Sequence, residues 1–242
     1  MNYKIVIPSY NRLKTLQNKT LAFLFRNNIP HDKIYIFVHP DSYCDYLILE
    51  SEYNINIIKS VEGIRDSRNF ITDYFSEGQK LISMDDDISD LIDFRTNQSL
   101  EHLNDFIEES FEMIQGGLWG VSATDNRFFS RLNDKVGLQS IIGSFCGFTN
   151  TKQYKLKLRV MEDYERVIYY YNDNRMILKR SFIGIKTKYW TTAGGIQSNY
   201  SKDERITIQN EAADYLLKTY PQLVYIRTRK NGLKDIRFRI LK

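Results

Sequence analysis

The chain is poor in the residues that build cross-links. In 242 residues it has two cysteines, four prolines and three histidines. Cys44 and Cys146 have no neighbour at metal-ligand spacing, so neither a disulfide framework nor a thiolate metal site is expected, and a reducing compartment fits. No apolar run approaches the ~20 residues that cross a bilayer. The strand-like Tyr3-Lys4-Ile5-Val6-Ile7 leaves no room for a charged-then-apolar leader. A cytoplasmic chain without membrane contact is expected. There is no internal repeat and no low-complexity linker. Of the histidines, His39 alone falls where a ligand is expected, and packing accounts for it equally well; His31 and His102 read as surface residues.

What is present is a globular composition, 42% hydrophobic and 26% charged. The length suits one domain, residues 1–242. The net charge of +4 is unevenly spread. From Arg227 to Lys242, Arg227, Arg229, Lys230, Lys234, Arg237, Arg239 and Lys242 face a single acid, Asp235. A second basic cluster is Lys152, Lys155, Lys157 and Arg159. Such clusters attract polyanions, although a charge run is also what a solvated face looks like.

Patterning predicts alternating strands and helices. Strands are expected at Ile5–Pro8, Ile34–Val38, Ile55–Ile58 and Leu81–Met84. Between them, helical spacing recurs through Leu13, Leu16, Thr20, Phe23 and Leu24, over Asp41–Glu52, and through Ser67, Ile71, Tyr74 and Phe75. This order predicts an α/β fold with a mainly parallel sheet, its ligands at the carboxyl ends of the strands. Ser9 to Asn11, His39 and Asp85 to Asp87 then share one rim. Further on, helices are expected at Leu100–Ile114, Glu162–Asn172 and Arg205–Lys218. Strands are expected at Trp119–Ala123, Ser140–Phe148 and Ile183–Trp190, and a hairpin at Leu223–Arg227 and Asp235–Leu241.

Three constellations could carry chemistry. In Leu81-Ile82-Ser83-Met84-Asp85-Asp86-Asp87-Ile88, a buried strand runs into three adjacent carboxylates. Their repulsion is a cost that a divalent cation, Mg²⁺ or Mn²⁺, would offset. In an extended segment Asp85 and Asp87 point one way and Asp86 the other. An acidic loop tip is the plain alternative. An EF-hand is excluded, because Asp90 and Thr96 stand where its Gly and Glu belong. A haloacid-dehalogenase-type phosphatase fits poorly, since three strands precede the triplet and Ser89 follows it. The second constellation is Glu62-Gly63-Ile64-Arg65-Asp66-Ser67-Arg68-Asn69. Arg65 and Arg68 share a helix face near its N-terminus, where a diphosphate would find forked donors; pairing with Glu62 and Asp66 is the simpler reading. The third is Met161-Glu162-Asp163-Tyr164-Glu165, where Asp163 or Glu162 is either a proton acceptor for a hydroxyl or ordinary helix-start chemistry. Gly194-Gly195 would allow close backbone approach to a ligand.

The Ile5-Val6-Ile7-Pro8-Ser9-Tyr10-Asn11-Arg12 segment, Gly63 to Asn69, the Asp triplet and Glu162-Asp163 follow one another as in GT-A glycosyltransferases, which the first 170 residues or so resemble. Gly63 to Ile71 and Gly194-Gly195-Ile196-Gln197 look more narrowly like the TET-associated glycosyltransferases of tailed phages, thought to act on hydroxymethylated pyrimidines in DNA. The resemblance implies a metal-dependent transferase moving a hexosyl or pentosyl group from a nucleotide-sugar, such as a UDP-sugar, to a hydroxyl. It assigns Pro8, Ser9, Tyr10, Asn11, Arg12, Arg65, Arg68, Asp85, Asp86, Gly194 and Gly195 to the donor, and Asp87 with Asp85 to Mn²⁺ or Mg²⁺. Asp163, with Glu162, is the expected base if the reaction inverts. Residues 1–98 would hold the donor and 99–242 the acceptor, with DNA met by Arg227, Arg229, Lys230, Arg237 and Arg239. The chain lacks the Gln-x-x-Arg-Trp signature of processive polysaccharide synthases and a clear late histidine to complete a metal shell. A surface-glycan transferase and a non-catalytic nucleic-acid-binding protein are the competing readings.

Overall fold

The computed structural model describes residues 1–129, 132–187 and 202–239. The first half alternates as expected: β1 (Tyr3–Ser9), α1 (Leu13–Leu16) continuing through a π-helical turn (Gln17–Leu21) into α2 (Ala22–Arg26), β2 (Ile34–Val38), α3 (Tyr43–Tyr53), β3 (Asn56–Lys59), α4 (Ile64–Tyr74) and β4 (Lys80–Met84). Then come β5 (Asp90–Asp93), β6 (Gln98–Ser99), α5 (Leu103–Ile114), β7 (Leu118–Ser122), β8 (Lys135–Val136), β9 (Phe145–Thr149), α6 (Glu162–Asn172) and β10 (Ile177–Lys186). The chain ends with α7 (Lys202–Thr219) and a hairpin of β11 (Val224–Thr228) and β12 (Lys234–Phe238).

The strand order is β3-β2-β1-β4-β9-β7-β10-β5-β6, with β8 also pairing with β10. β3, β2, β1 and β4 are mutually parallel, and β10 runs parallel to β7. β9 inserts antiparallel between β4 and β7. The ends of β1, β2, β4, β7 and β10 therefore share one edge with the start of β9. Alternation along β1 divides the core. Ile5 and Ile7 pack on one face with Leu16, Phe23, Tyr46 and Ile107, while Val6 packs on the other with Phe37, Ile71 and Val167. A third cluster, including Ile168, Ala213, Leu216, Val224 and Ile236, fastens the hairpin and α7 to α6.

Several expectations shift. The strand expected over Ser140–Phe148 begins only at Phe145, because Ser140 to Ser144 forms a loop along the edge that carries the site. β10 begins at Ile177, earlier than the expected Ile183. Arg180 interrupts the apolar pattern there, yet it is buried, paired with Asp134 at 3.0 Å and with Glu109 at 3.3 Å. β5 escapes patterning because its acidic ends are buried on partners, Asp90 on Arg26 and Asp93 on Arg95. Residues 188–190 of the expected Ile183–Trp190 strand lie outside the described residues.

Candidate active site

The triplet follows β4 where that strand leaves the sheet. Its loop is closed by a residue from the π-helical turn: the buried Thr20 hydroxyl donates to the Asp85 carbonyl (2.9 Å) and accepts from Ile88 N (3.0 Å). π-turns recur at functional sites because they rotate one side chain out of helical register. Asp85 N donates to the Ser144 carbonyl at 2.9 Å, tying the triplet to the loop before β9. The chain turns at Asp86 and Asp87, so the expected extended alternation does not hold. Asp85 faces Arg68 (3.8 Å), whereas Asp86 and Asp87 both face Arg12, at 3.2 and 3.8 Å.

Asp86 is occupied within the protein. Ser9 Oγ donates to its Oδ2 (2.6 Å), Tyr46 Oη lies 2.8 Å from Ser9 Oγ, and Arg12 N donates to Tyr46 Oη (2.9 Å). With Ser9 spending its proton on Asp86, Tyr46 donates to Ser9, and the chain of donors runs one way. Burial pushes the Asp86 carboxyl up, while Ser9 and Arg12 pull it down. Ser9, Arg12 and Asp86, all expected at the donor, are thus joined to one another and hold the β1–α1 turn. Asn11 sits in that turn at φ 53°, a left-handed conformation asparagine tolerates. Tyr10 packs against His39 with ring centroids 4.1 Å apart and the planes tilted by 37°. His39 Nδ1 accepts from Asp41 N (3.3 Å), so its ring is packed and engaged in its own turn.

Asp87 accepts from the Thr187 hydroxyl (3.0 Å), just beyond β10. Asp85 is the open member of the triplet, its side chain 39% exposed against 14% for Asp87 and 7% for Asp86. Although its oxygens reach the surface, the protein packed around it pushes its carboxyl up to about 6, with Arg68 opposing and the neighbouring acids adding. Among the described residues no group of three or more metal-ligating side chains converges. A hard cation is often held by one or two carboxylates with phosphate and water completing the shell, and Asp85, the open carboxylate, is the member of the triplet whose chemistry fits that role.

The facing wall comes from α4 and α6. Arg68 is buried, and its Nη1 lies 3.1 Å from Glu162 Oε1. Gly143 leaves room here, since a Cβ at that position would displace the guanidinium from its place. Met161, immediately before the acid pair, adopts φ 60° and ψ 22°. A left-handed methionine costs roughly 1–2 kcal/mol and is the kind of strain found at functional positions. Asp163 accepts from Tyr164 N (2.9 Å), and its carboxyl is pushed up to about 7 by burial and secondly by Glu162. Arg65, expected beside Arg68, instead forks onto Asp66 at 2.7 and 2.8 Å.

Patterning gave no part in the site to Thr20, Tyr46, Gly143 or Thr187. Thr20 had one visible signal, a hydroxyl inside an otherwise apolar helical stripe. Gly194 and Gly195 lie outside the described residues. In the basic hairpin, Arg229 pairs with Asp235 (2.6 Å) and Arg239 donates to the carbonyls of Pro221 and Val224. Arg227, Lys230 and Arg237 are exposed.

No family profile and no curated protein matches the chain. In fold it is similar to nucleotide-diphospho-sugar transferases of the GT-A architecture. Glucosyl-3-phosphoglycerate synthase from Mycobacterium tuberculosis, solved with Mn²⁺, UDP and phosphoglyceric acid, superposes with a TM-score of 0.55 at 12% identity, covering 100% of this chain and 87% of that one. Mannosyl-3-phosphoglycerate synthase from Rubrobacter xylanophilus gives 0.53 at 7% identity, covering 100% and 85%. GalNAc-T7 with UDP, GalNAc and Mn²⁺ gives 0.52 at 11% identity, covering 91% of this chain and 51% of that one.

Proposed function

We propose that the chain is a glycosyltransferase that takes a sugar from a nucleotide-sugar, a UDP-sugar in the first instance, with a divalent cation held by Asp87 and Asp85. The observation that carries this reading is one edge of a GT-A sheet bearing an accessible carboxylate, Asp85 of the triplet, and, across Arg68, the acid pair Glu162 and Asp163. Two of the solved structures similar in fold hold Mn²⁺ and UDP together. A bound cation would supply positive charge against the leaving diphosphate. Asp163, with Glu162 beside it, receives the proton of the acceptor hydroxyl if configuration inverts. Pro8, Tyr10 and Asn11, with the Tyr10–His39 contact, form the surface offered to the nucleotide. Residues 1–98 serve the donor and 99–242 the acceptor.

The proposed acceptor is a hydroxymethylated pyrimidine in DNA, met by Arg227, Lys230 and Arg237. The hairpin bearing them packs on α6, where Tyr164 and Phe238 lie 5.4 Å apart. A small phosphorylated acceptor is the second reading, favoured by the phosphoglycerate synthases among the fold relatives.

Incubation with Mn²⁺, UDP-sugars and either hydroxymethylated DNA or 3-phosphoglycerate, followed by mass spectrometry, separates the two. A hexose or pentose increment is expected on DNA. Asp85→Asn combined with Asp87→Asn is expected to cut transfer by on the order of 100-fold or more while the circular dichroism spectrum is kept. Unchanged turnover in that double variant would overturn the assignment.

A further inference from the structure

Among the described residues, Arg68 alone pairs with both acid groups. Its Nη1 lies close to Glu162 on α6, at 3.1 Å, and its Nη2 reaches Asp85 of the triplet at 3.8 Å. Arg68 itself is buried, with its side chain 7% exposed, and its Nε finds no hydrogen-bond partner among the described residues. Gly143 leaves the space that the guanidinium fills. Five donors on a rigid plane allow one arginine to serve two carboxylates, which a lysine ammonium cannot do in the same way. The two contacts are unequal. The closer one lies on the acceptor side, and the looser one is with the most exposed carboxylate of the triplet.

We propose that Arg68 is a positioning residue that couples the cation-binding triplet to the Glu162–Asp163 pair. In the resting protein the guanidinium is divided between Asp85 and Glu162. When a cation occupies Asp85, the looser contact is given up and Arg68 serves Glu162 alone, fixing the acid pair for the acceptor. Coupling of this kind is reciprocal. Whatever removes Glu162 as a partner releases Arg68 toward Asp85, where it competes with the cation. The inference rests on the proposed cation site, but it concerns what the acid pair does to that site from the far side of Arg68.

The test is a double-mutant cycle read by Mn²⁺ binding in the presence of UDP, followed by electron paramagnetic resonance, with no sugar donor or acceptor present. Glu162→Gln is expected to weaken Mn²⁺ binding on the order of fivefold. In an Arg68→Met background the same substitution is expected to change Mn²⁺ binding by less than about twofold, because the mobile competitor is gone. Through-space loss of one negative charge would weaken binding equally in both backgrounds, and that equality overturns the proposal. If Arg68→Met does not fold, Arg68→Gln provides the second background, since its neutral amide has no positive charge with which to compete for Asp85. There too, an undiminished Glu162→Gln effect is the overturning result. Absence of protein-bound Mn²⁺ in the unsubstituted protein with UDP present overturns the cation site itself, and the coupling with it, so the two failures are distinguishable.

Discussion

Asp163 shows how a single residue records its surroundings. Its carboxyl, pushed up to about 7, binds a proton in the folded protein across a range where the unfolded chain has already released it. Stability from this group is therefore complete below the ordinary carboxylate range and is lost as pH rises toward 7. Asp163→Asn removes the cost of a desolvated charge. Above pH 7 it is expected to raise stability by about 1 kcal/mol or more, since a tenfold change in proton affinity corresponds to about 1.4 kcal/mol. Denaturant midpoints between pH 5 and 8 should fall less steeply in the variant than in the parent. If Asp163 is also the base, transfer by the parent should climb over the interval in which this stability is lost. A parallel pH dependence in parent and variant would remove Asp163 from the account.

The sequence made the triplet, Arg68 and the acid pair visible as residues, because charge at the end of a buried strand or the start of a helix has few cheap explanations. It could not show who pairs with whom. Spacing put Arg65 and Arg68 on one helix face, but Arg65 turns to its neighbour Asp66, and only Arg68 reaches the site. Ser9 and Arg12 were legible as a turn after β1; their commitment to Asp86 depends on Tyr46, 37 positions beyond Ser9. Such long-range satisfaction of buried polar groups leaves no local pattern.

Among the elements, the helix between β1 and β2 is the most informative. Its apolar stripe predicts the helix, but not the π-helical turn that aims Thr20 at the triplet loop. Thr20→Val keeps the shape and removes the hydroxyl, leaving Ile88 N buried without its acceptor. Such a loss costs about 1–3 kcal/mol. Thr20→Val is expected to lower stability by that amount and to weaken Mn²⁺ binding at Asp85 and Asp87, while Thr20→Ser restores both. Chemical denaturation and Mn²⁺ titration check the pair. A stable Thr20→Val protein with parental Mn²⁺ affinity would mean that the loop holds itself. The same logic explains the strand boundaries that patterning missed. β10 carries a buried Arg180 and β5 carries buried acids, and each charge is balanced by a partner that strand alternation does not announce.

At the scale of the whole molecule, the Asp triplet after β4 faces the acid pair at the start of α6 across Arg68, and the hairpin and α7 form a separate packed unit against α6. The basic run from Arg227 to Arg239 is therefore anchored beside the helix that begins with Glu162 and Asp163. Its cations are unequal. Arg229 is balanced by Asp235, and Arg239 secures the backbone beneath the hairpin, so neither is a free handle for an anion. Arg227, Lys230 and Arg237 are exposed and can release counterions on binding a polyanion. Changing these three to glutamine is expected to leave UDP-sugar hydrolysis within about twofold of the parent and to lower transfer to DNA roughly tenfold or more. The salt dependence of DNA binding should flatten by about one unit of slope for each phosphate no longer neutralised. Arg239→Gln should act differently, lowering stability through its two backbone hydrogen bonds. Equal loss of hydrolysis and transfer in the triple variant would mean that the hairpin supports the fold around α6 and has no part in choosing the acceptor. Retained transfer to 3-phosphoglycerate, alongside indifference to DNA, would give the site to a small phosphorylated acceptor.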